Sequence, residues 1–372
     1  MSTTVSYLGP AGTFTEAAVL RFARRGTFGQ VFGGAGRAED AARGPITGER
    51  EPDRIDTLAL ASPGAVVDAV RAGSARAGVL AIENSVDGAV TQAFDALAQG
   101  GVQIFDELDL PIDFTIMTRP GSPATGTSAP RAGEDAVTAP ESPDAAVCGT
   151  ADPEAALREV ATLASHPVGY QQVKGWLAKH AAHVQFVPAS SNAAAARMVA
   201  EGQVDAAAAP DRAADLFQLQ RVATGIADVR DARTRFVVVA RHGRPPQRTG
   251  RDHTSVVFRL PNTPGSLVAA LGEFAQRGVN LTRIASRPTR EVFGTYLFFA
   301  DMSGHIADAP VAEALRALWL RAEDIEFLGS WPNRSESDAG PAADGPDLVR
   351  IAQATEWVHA LQEEGGAGWL AG

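Results

Sequence analysis

Over the first 240 residues, short β-favouring apolar runs alternate with stretches of helical periodicity, and this alternation constrains the fold more than any other feature. Val5–Leu8 reads as a strand ending in Gly9-Pro10, with a helix opening near Thr13. Gly64–Ala72 has helical spacing, Gly78–Ile82 is a buried-strand run, Ala89–Ala98 is helical and Val102–Phe105 is strand-like. The pattern resumes with Ala161–Ala164 as strand, Pro167–Lys179 as helix, Val184–Val187 as strand, Ser191–Ala200 as helix and Asp205–Ala209 as strand. It closes on Thr234–Ala240. Such alternation points to a largely parallel α/β sheet, because each helix returns the chain to begin the next strand in the same sense.

Two stretches interrupt the pattern. Gly33–Arg54 is rich in Gly, Arg and acids, and Pro120–Pro143 is rich in Pro, Gly, Ser, Thr and Ala. Neither is periodic, and both read as long surface insertions. Gly33-Gly34-Ala35-Gly36 lacks the Lys-Ser/Thr and the preceding strand that a phosphate loop requires.

Arg241–Asp252 holds Arg-Pro-Pro and little that is apolar, which marks a domain boundary. Beyond it, Thr254–Leu260 alternates as a strand, and Gly265–Gly278 carries Leu267, Leu271 and Phe274 at helical spacing. Strands follow at Asn280–Ser286 and Thr295–Ala300, then a helix at Pro310–Arg321 and a strand at Ile325–Ser330. That order, βαββαβ, is the ferredoxin-like arrangement. Residues 333–372 form an acidic, low-complexity tail with one amphipathic helix near Asp347–Leu361.

Composition narrows the function classes. No apolar run approaches the roughly eighteen residues of a membrane span, and Met1–Val5 lacks the basic-then-apolar layout of a signal peptide. One cysteine, Cys148, excludes an internal disulfide and a multi-cysteine metal site, so the expected compartment is the cytoplasm. The net charge is −11, of which the tail supplies −5. No stretch has the clustered Lys/Arg of a nucleic-acid binder. The seven histidines are scattered, and the close pair His180 and His183 has no third ligand nearby. No cofactor is implied.

Four places share one design, in which a strand ends, a polar cluster follows and a helix begins. They are Tyr7–Glu16, Glu83-Asn84-Ser85, Ser165-His166-Pro167 and Ser190-Ser191-Asn192. In the first, Thr13 and Glu16 have capping-box spacing. Helix N-termini offer unpaired N–H groups and partial positive charge, so several around one cleft suit a small anion without many lysines. Taken singly, each is equally an ordinary N-cap. A fifth cluster, Thr234-Arg235-Phe236, opens the closing strand.

In combination these motifs resemble the prephenate dehydratases. Tyr7–Ala18, Glu83-Asn84-Ser85 with Gly88 and Val90, Leu110-Pro111-Ile112, Ser165-His166-Pro167 and Thr234-Arg235-Phe236 occur in that family's order. The C-terminal unit resembles the ACT domain that accompanies them, through Pro264–Leu267 and Asn280–Pro288. The resemblance implies a two-lobed, periplasmic-binding-protein-like catalytic domain over residues 1–240, with lobe one from 1–110 and 213–240 and lobe two from 111–212. An ACT regulatory domain would occupy 253–332. It implies Thr234 as hydroxyl donor to the departing oxygen, with Asn84, Ser165 and Gln172 as further catalytic residues. Glu83, Ser85, Arg235, Phe236, Thr13 and Ser191 would contact the substrate. Phenylalanine would bind between ACT domains of neighbouring subunits, near Gly265, Ser266, Leu267, Val268, Asn280, Ser286, Arg287 and Pro288, in a dimer or tetramer.

The chain departs from the family pattern at Val168, Ser191-Asn192, Ser266 and Ala285. The last two fall in the effector motifs and bear on phenylalanine sensitivity. Three other readings share the scaffold: arogenate dehydratase, a prephenate decarboxylase that keeps the ring hydroxyl, and a non-catalytic ligand sensor.

Overall fold

The computed structural model describes residues 3–32, 53–120, 153–289, 295–334 and 348–364. Apart from their outermost residues, the expected insertions Gly33–Arg54 and Pro120–Pro143 lie outside the described residues, as does Cys148. The chain divides into two compact units, Met1–Phe94 with Leu108–Val237, and Asp95–Glu107 with Val238–Gly372.

The chain begins with β1 (Thr3–Leu8), α1 (Phe14–Arg24) and α2 (Thr27–Phe32), followed by β2 (Ile55–Leu60) and α3 (Pro63–Ala72). Next come β3 (Ala77–Asn84), β4 (Gly88–Ala89), α4 (Thr91–Leu97) and β5 (Gln103–Pro111). A second set follows: β6 (Thr115–Thr118), α5 (Pro153–Leu157), β7 (Thr162–Ser165), α6 (Pro167–Gln171), α7 (Lys174–His180) and β8 (Gln185–Pro188). It continues with α8 (Asn192–Ala200), β9 (Ala206–Ala209), α9 (Asp211–Leu216), β10 (Gln220–Thr224) and β11 (Arg233–Ala240).

Two sheets result. The first has the order β2-β1-β3-β11-β5, with β4 folded back on β3. Its β1 runs parallel to both β2 and β3. Apolar faces of α1 and α3 cover it through Ala18, Val19, Phe22, Val66, Val67 and Val70, all fully buried. The second sheet has the order β10-β6-β9-β7-β8, parallel between β7, β8 and β9 and antiparallel at β6 and β10. Its β9 is four buried alanines, and the matching small face of α8 (Ala193, Ala195, Ala196) lets that helix approach closely.

The connection between the sheets is double. The outgoing chain at Ile112 donates its N–H to Ala232 O on the returning chain at 2.7 Å, so both crossings lie side by side. This is the two-lobed arrangement that the resemblance implies, with one correction. The return to the first lobe does not begin at residue 213. There, α9 and β10 complete the second lobe: β10 covers the edge of β6, and Ala213, Ala214, Val222 and Ala223 fill that lobe's core. Only β11 rejoins the first sheet. The expected helix Pro167–Lys179 is also two helices, broken at Gln172-Val173. Asp228 explains the break: its carboxylate accepts from the N–H groups of Gly175 (2.7 Å) and Trp176 (2.8 Å), starting a new helix there.

The second unit contains β12 (Asp252–Arg259), α10 (Ser266–Ala275), β13 (Leu281–Pro288), β14 (Tyr296–Ser303), α11 (Ala309–Arg321), β15 (Asp324–Pro332) and α12 (Leu348–Glu364). Its sheet order is β13-β14-β12-β15, antiparallel throughout. This is the βαββαβ unit read from the sequence. One face packs on α10 and α11 around Val256, Phe258, Ala270, Phe274, Ala314 and Leu318. Within this unit the buried carboxylate of Glu107 accepts from Trp331 Nε1 (2.8 Å) and the Arg334 N–H (3.0 Å), with His253 Nδ1 at 3.3 Å. Among the described residues no helix is long and apolar enough to cross a membrane.

Candidate active site

The centre of the site is a pair of side chains 150 residues apart in the chain. Asn84 ends β3 and Thr234 lies at the start of β11, its neighbour in the sheet. Asn84 Nδ2 donates to Thr234 Oγ1 at 3.0 Å. The direction of this bond follows from the turn after β3. Asn84 Oδ1 accepts the N–H groups of Val86 (2.8 Å) and Asp87 (3.1 Å), so the amide must present its nitrogen to Thr234. Thr234 Oγ1 therefore accepts, and its own hydrogen is left to be donated elsewhere. Ser85 locks the two strands together, its N–H donating to Arg233 O at 2.8 Å and its hydroxyl accepting the Arg233 N–H at 2.9 Å.

The second lobe contributes the β7–α6 turn. Ser165 is fully buried and donates towards Ala208 O (2.9 Å) and Asn192 Oδ1 (3.2 Å), while Asn192 Oδ1 also accepts the His166 N–H at 3.0 Å. Ser165 thus holds the turn and the start of α8 in place and presents no open surface of its own. Gly169 makes this packing feasible: a Cβ there would lie 2.6 Å from Asn192 Oδ1 and 3.1 Å from Ser165 Oγ. Gln172, at the end of α6, reaches the first lobe, where its Nε2 donates to Asp87 Oδ2 at 2.9 Å.

Further out, the Thr13 hydroxyl caps the Glu16 N–H at 3.4 Å, but Glu16 does not complete a capping box. Its carboxylate accepts instead from the Gly12 N–H (2.8 Å) and from Arg212 Nε of α9 (3.0 Å), tying the two lobes. Burial, reinforced by Glu16, pushes the Tyr7 hydroxyl up to about 12, so Tyr7 stays protonated. Ser191 caps α8 through the Ala194 N–H at 3.0 Å. Arg235 is already engaged, with Nε 3.3 Å from Asp109 and Nη1 3.8 Å from Glu83. Phe236 is buried in the core, which places it in packing and away from a ligand surface. No group of three or more His, Cys, Asp or Glu among the described residues is arranged to hold a metal.

Hydrogen bonds thus link Thr234 to Asn84, Asn84 to Asp87 and Asp87 to Gln172, while Ser85 ties β3 to β11 and Ser165 and Asn192 hold the β7–α6 turn. Sequence reading missed Asp87, Gly169, Arg212 and Asp228. For Asp87 a signal existed: Asn followed three residues later by Asp-Gly marks an Asx-type turn.

A family model for prephenate dehydratase matches residues 38–244, and one for the ACT domain matches 254–320. The prephenate dehydratase of Corynebacterium glutamicum is 50% identical over 362 residues, covering 97% of each chain. The chain belongs to the prephenate dehydratase family. The family enzyme of Mycobacterium tuberculosis is 42% identical over 359 residues, covering 96% of this chain and 94% of the relative. Among solved structures, prephenate dehydratase of Arthrobacter aurescens in complex with L-Phe is 32% identical, with a TM-score of 0.73 over 97% of this chain and 100% of that one. A quorum-quenching acylase is 25% identical, with a TM-score of 0.65 over 88% of this chain and 97% of its own. The scaffold therefore carries more than one chemistry, and the reaction has to be argued from the site.

Proposed function

We propose that this chain converts prephenate to phenylpyruvate and that L-phenylalanine regulates it through the ACT unit. The observation that carries the reaction is the bond from Asn84 Nδ2 to Thr234 Oγ1, because it makes the threonine oxygen an acceptor and leaves its hydrogen to be donated to a ligand. In the reaction the carbon–carbon bond to the ring carboxylate breaks and its electron pair moves into the ring. Carbon dioxide leaves, the ring carbon–oxygen bond breaks, and hydroxide departs as the ring becomes aromatic. The protein's task is to hold the dianion, exclude water and stabilise the leaving oxygen. A threonine is a weak acid, so Thr234 acts mainly by a hydrogen bond that strengthens as charge builds on that oxygen.

The substrate carboxylates are assigned to the N–H groups at the starts of α1 and α8, whose dipoles favour anions. Arg235, held by Asp109 and Glu83, serves as a support for β11. At the ACT unit, Gly265 precedes α10 with φ of +83° and supplies no side-chain cap, leaving N–H groups for an effector carboxylate. Val268 and Ser286 lie exposed near the same motifs, whereas Arg287 Nη2 contacts Asp95 at 3.2 Å. Assembly through ACT sheets fits β13 as an edge strand bearing exposed Ile284. A cytoplasmic setting belongs to the same reading.

Product analysis tests it. Purified protein incubated with prephenate should yield phenylpyruvate, identified by absorbance and mass, with arogenate tested in parallel. A product that keeps the ring oxygen, or no product, contradicts the proposal.

A further inference from the structure

We propose that Asp87 is a positioning residue: it orients the Gln172 amide so that Gln172 Oε1 accepts the hydrogen of the substrate's ring hydroxyl. This deepens the prephenate reading and rests on it. Gln172 is 5% exposed, and its Nε2 donates to Asp87 Oδ2 at 2.9 Å. A carboxylate has only acceptors to offer, so this contact selects one of the two amide orientations, nitrogen towards Asp87 and oxygen away from it. Gln172 Oε1 is buried and has no hydrogen-bond partner among the described residues. A buried acceptor left unmet is destabilising, and in a network whose Thr234 hydrogen is also uncommitted it points to a donor that arrives with a ligand.

The same turn aims the other half of the site. The Asp87 N–H donates to Asn84 Oδ1 at 3.1 Å, and Asn84 Nδ2 donates to Thr234 Oγ1 at 3.0 Å. One four-residue turn thereby fixes a donor on the first lobe, Thr234, and an acceptor on the second, Gln172. A hydroxyl group is both acceptor and donor, and the pair matches it. Its oxygen accepts from Thr234 and its hydrogen is donated to Gln172 Oε1. When the carbon–oxygen bond breaks, its electron pair stays on oxygen, the hydroxyl hydrogen remains bound to that oxygen, and the Thr234 bond bears the new charge. A site built this way discriminates against a ring that lacks the hydroxyl hydrogen, since Gln172 Oε1 then stays unpaired.

The test uses the full-length chain with Asp87→Asn, Asp87→Ala and Asp87→Glu, measuring kcat and KM for prephenate alongside thermal melting. An asparagine can turn either end of its amide to Gln172, so orientation is lost while size is kept. Asp87→Asn and Asp87→Ala should lower kcat/KM about ten- to a hundredfold, the loss expected for one charge-assisted hydrogen bond. The loss should fall mainly on KM, since the ring hydroxyl already offers its hydrogen to Gln172 in the bound substrate and this contact does not strengthen as charge builds on the departing oxygen. Asp87→Glu, which keeps an acceptor, should recover part of the loss. Melting should stay within about 2 °C of the parent for substitutions on this exposed turn. Wild-type kcat/KM in Asp87→Asn, or losses that follow a falling melting temperature, would overturn the inference and leave the prephenate reading standing. A parent protein without dehydratase activity removes both.

Discussion

A side-chain amide has two different ends, and at the residue scale the site depends on which end faces where. Asn84 is held by two backbone N–H groups, so Thr234 receives a donor and must give its own hydrogen to something else. Asn84→Ala should leave Thr234 without this constraint and lower kcat by about tenfold or more, read from the steady-state rate with prephenate. Gly169 makes a separate demand, because a methyl group would lie 2.6 Å from Asn192 Oδ1. Gly169→Ala should lower stability by about 1–3 kcal/mol, measured by denaturant unfolding, and reduce activity by displacing the β7–α6 turn. Thr234 and Asn84 stand out in the sequence because each sits in a compact motif, whereas Gln172 enters only through the family resemblance. Asp228 was not legible, since the backbone N–H groups it caps lie 53 and 52 residues away and no local pattern announces it; the Asx-type turn marks Asp87 itself, but not its partner Gln172, 85 residues on.

Elements were easiest to read where periodicity is strong. The αβ alternation and the βαββαβ unit both appear in the structure, because helix and strand periods are local properties of the chain. Gln220–Thr224 escaped notice: a five-residue strand becomes one only by pairing with β6, about a hundred residues earlier. The single long helix expected after Ser165 failed for a similar reason, as the Asp228 cap that restarts it comes from far along the chain. Asp205 gives a test at this scale. Its carboxylate clamps β7, accepting from the Ala161 N–H (3.0 Å), the Thr162 N–H (2.9 Å) and the Thr162 hydroxyl (2.9 Å). Partial burial pushes the Asp205 carboxyl up, but those bonds and Arg119 outweigh it and hold it below the usual range. A depressed carboxyl contributes stability above its unfolded pKa of about 3.9 and loses it as pH falls through the folded value. Asp205→Asn should therefore melt lower than the parent at neutral pH, and the gap should close on acidification below about pH 4. A gap that is constant with pH counts against this role.

At the scale of the whole molecule, one chain carries both a two-lobed catalytic unit and an ACT unit. Phenylalanine should bind the full-length protein in equilibrium dialysis and raise its melting temperature. Gly265→Val, which forces a β-branched residue to φ of +83°, should abolish that binding. Absence of binding by the parent protein removes the regulatory half of the account. The catalytic half comes down to one hydroxyl group, and the most direct measurement is kcat with prephenate for Thr234→Ser and Thr234→Val, each checked for native melting. The serine keeps the donor and should stay within about tenfold of the parent, whereas the isosteric valine should lose about a hundredfold or more. A valine variant that turns prephenate over at the parent rate contradicts the account.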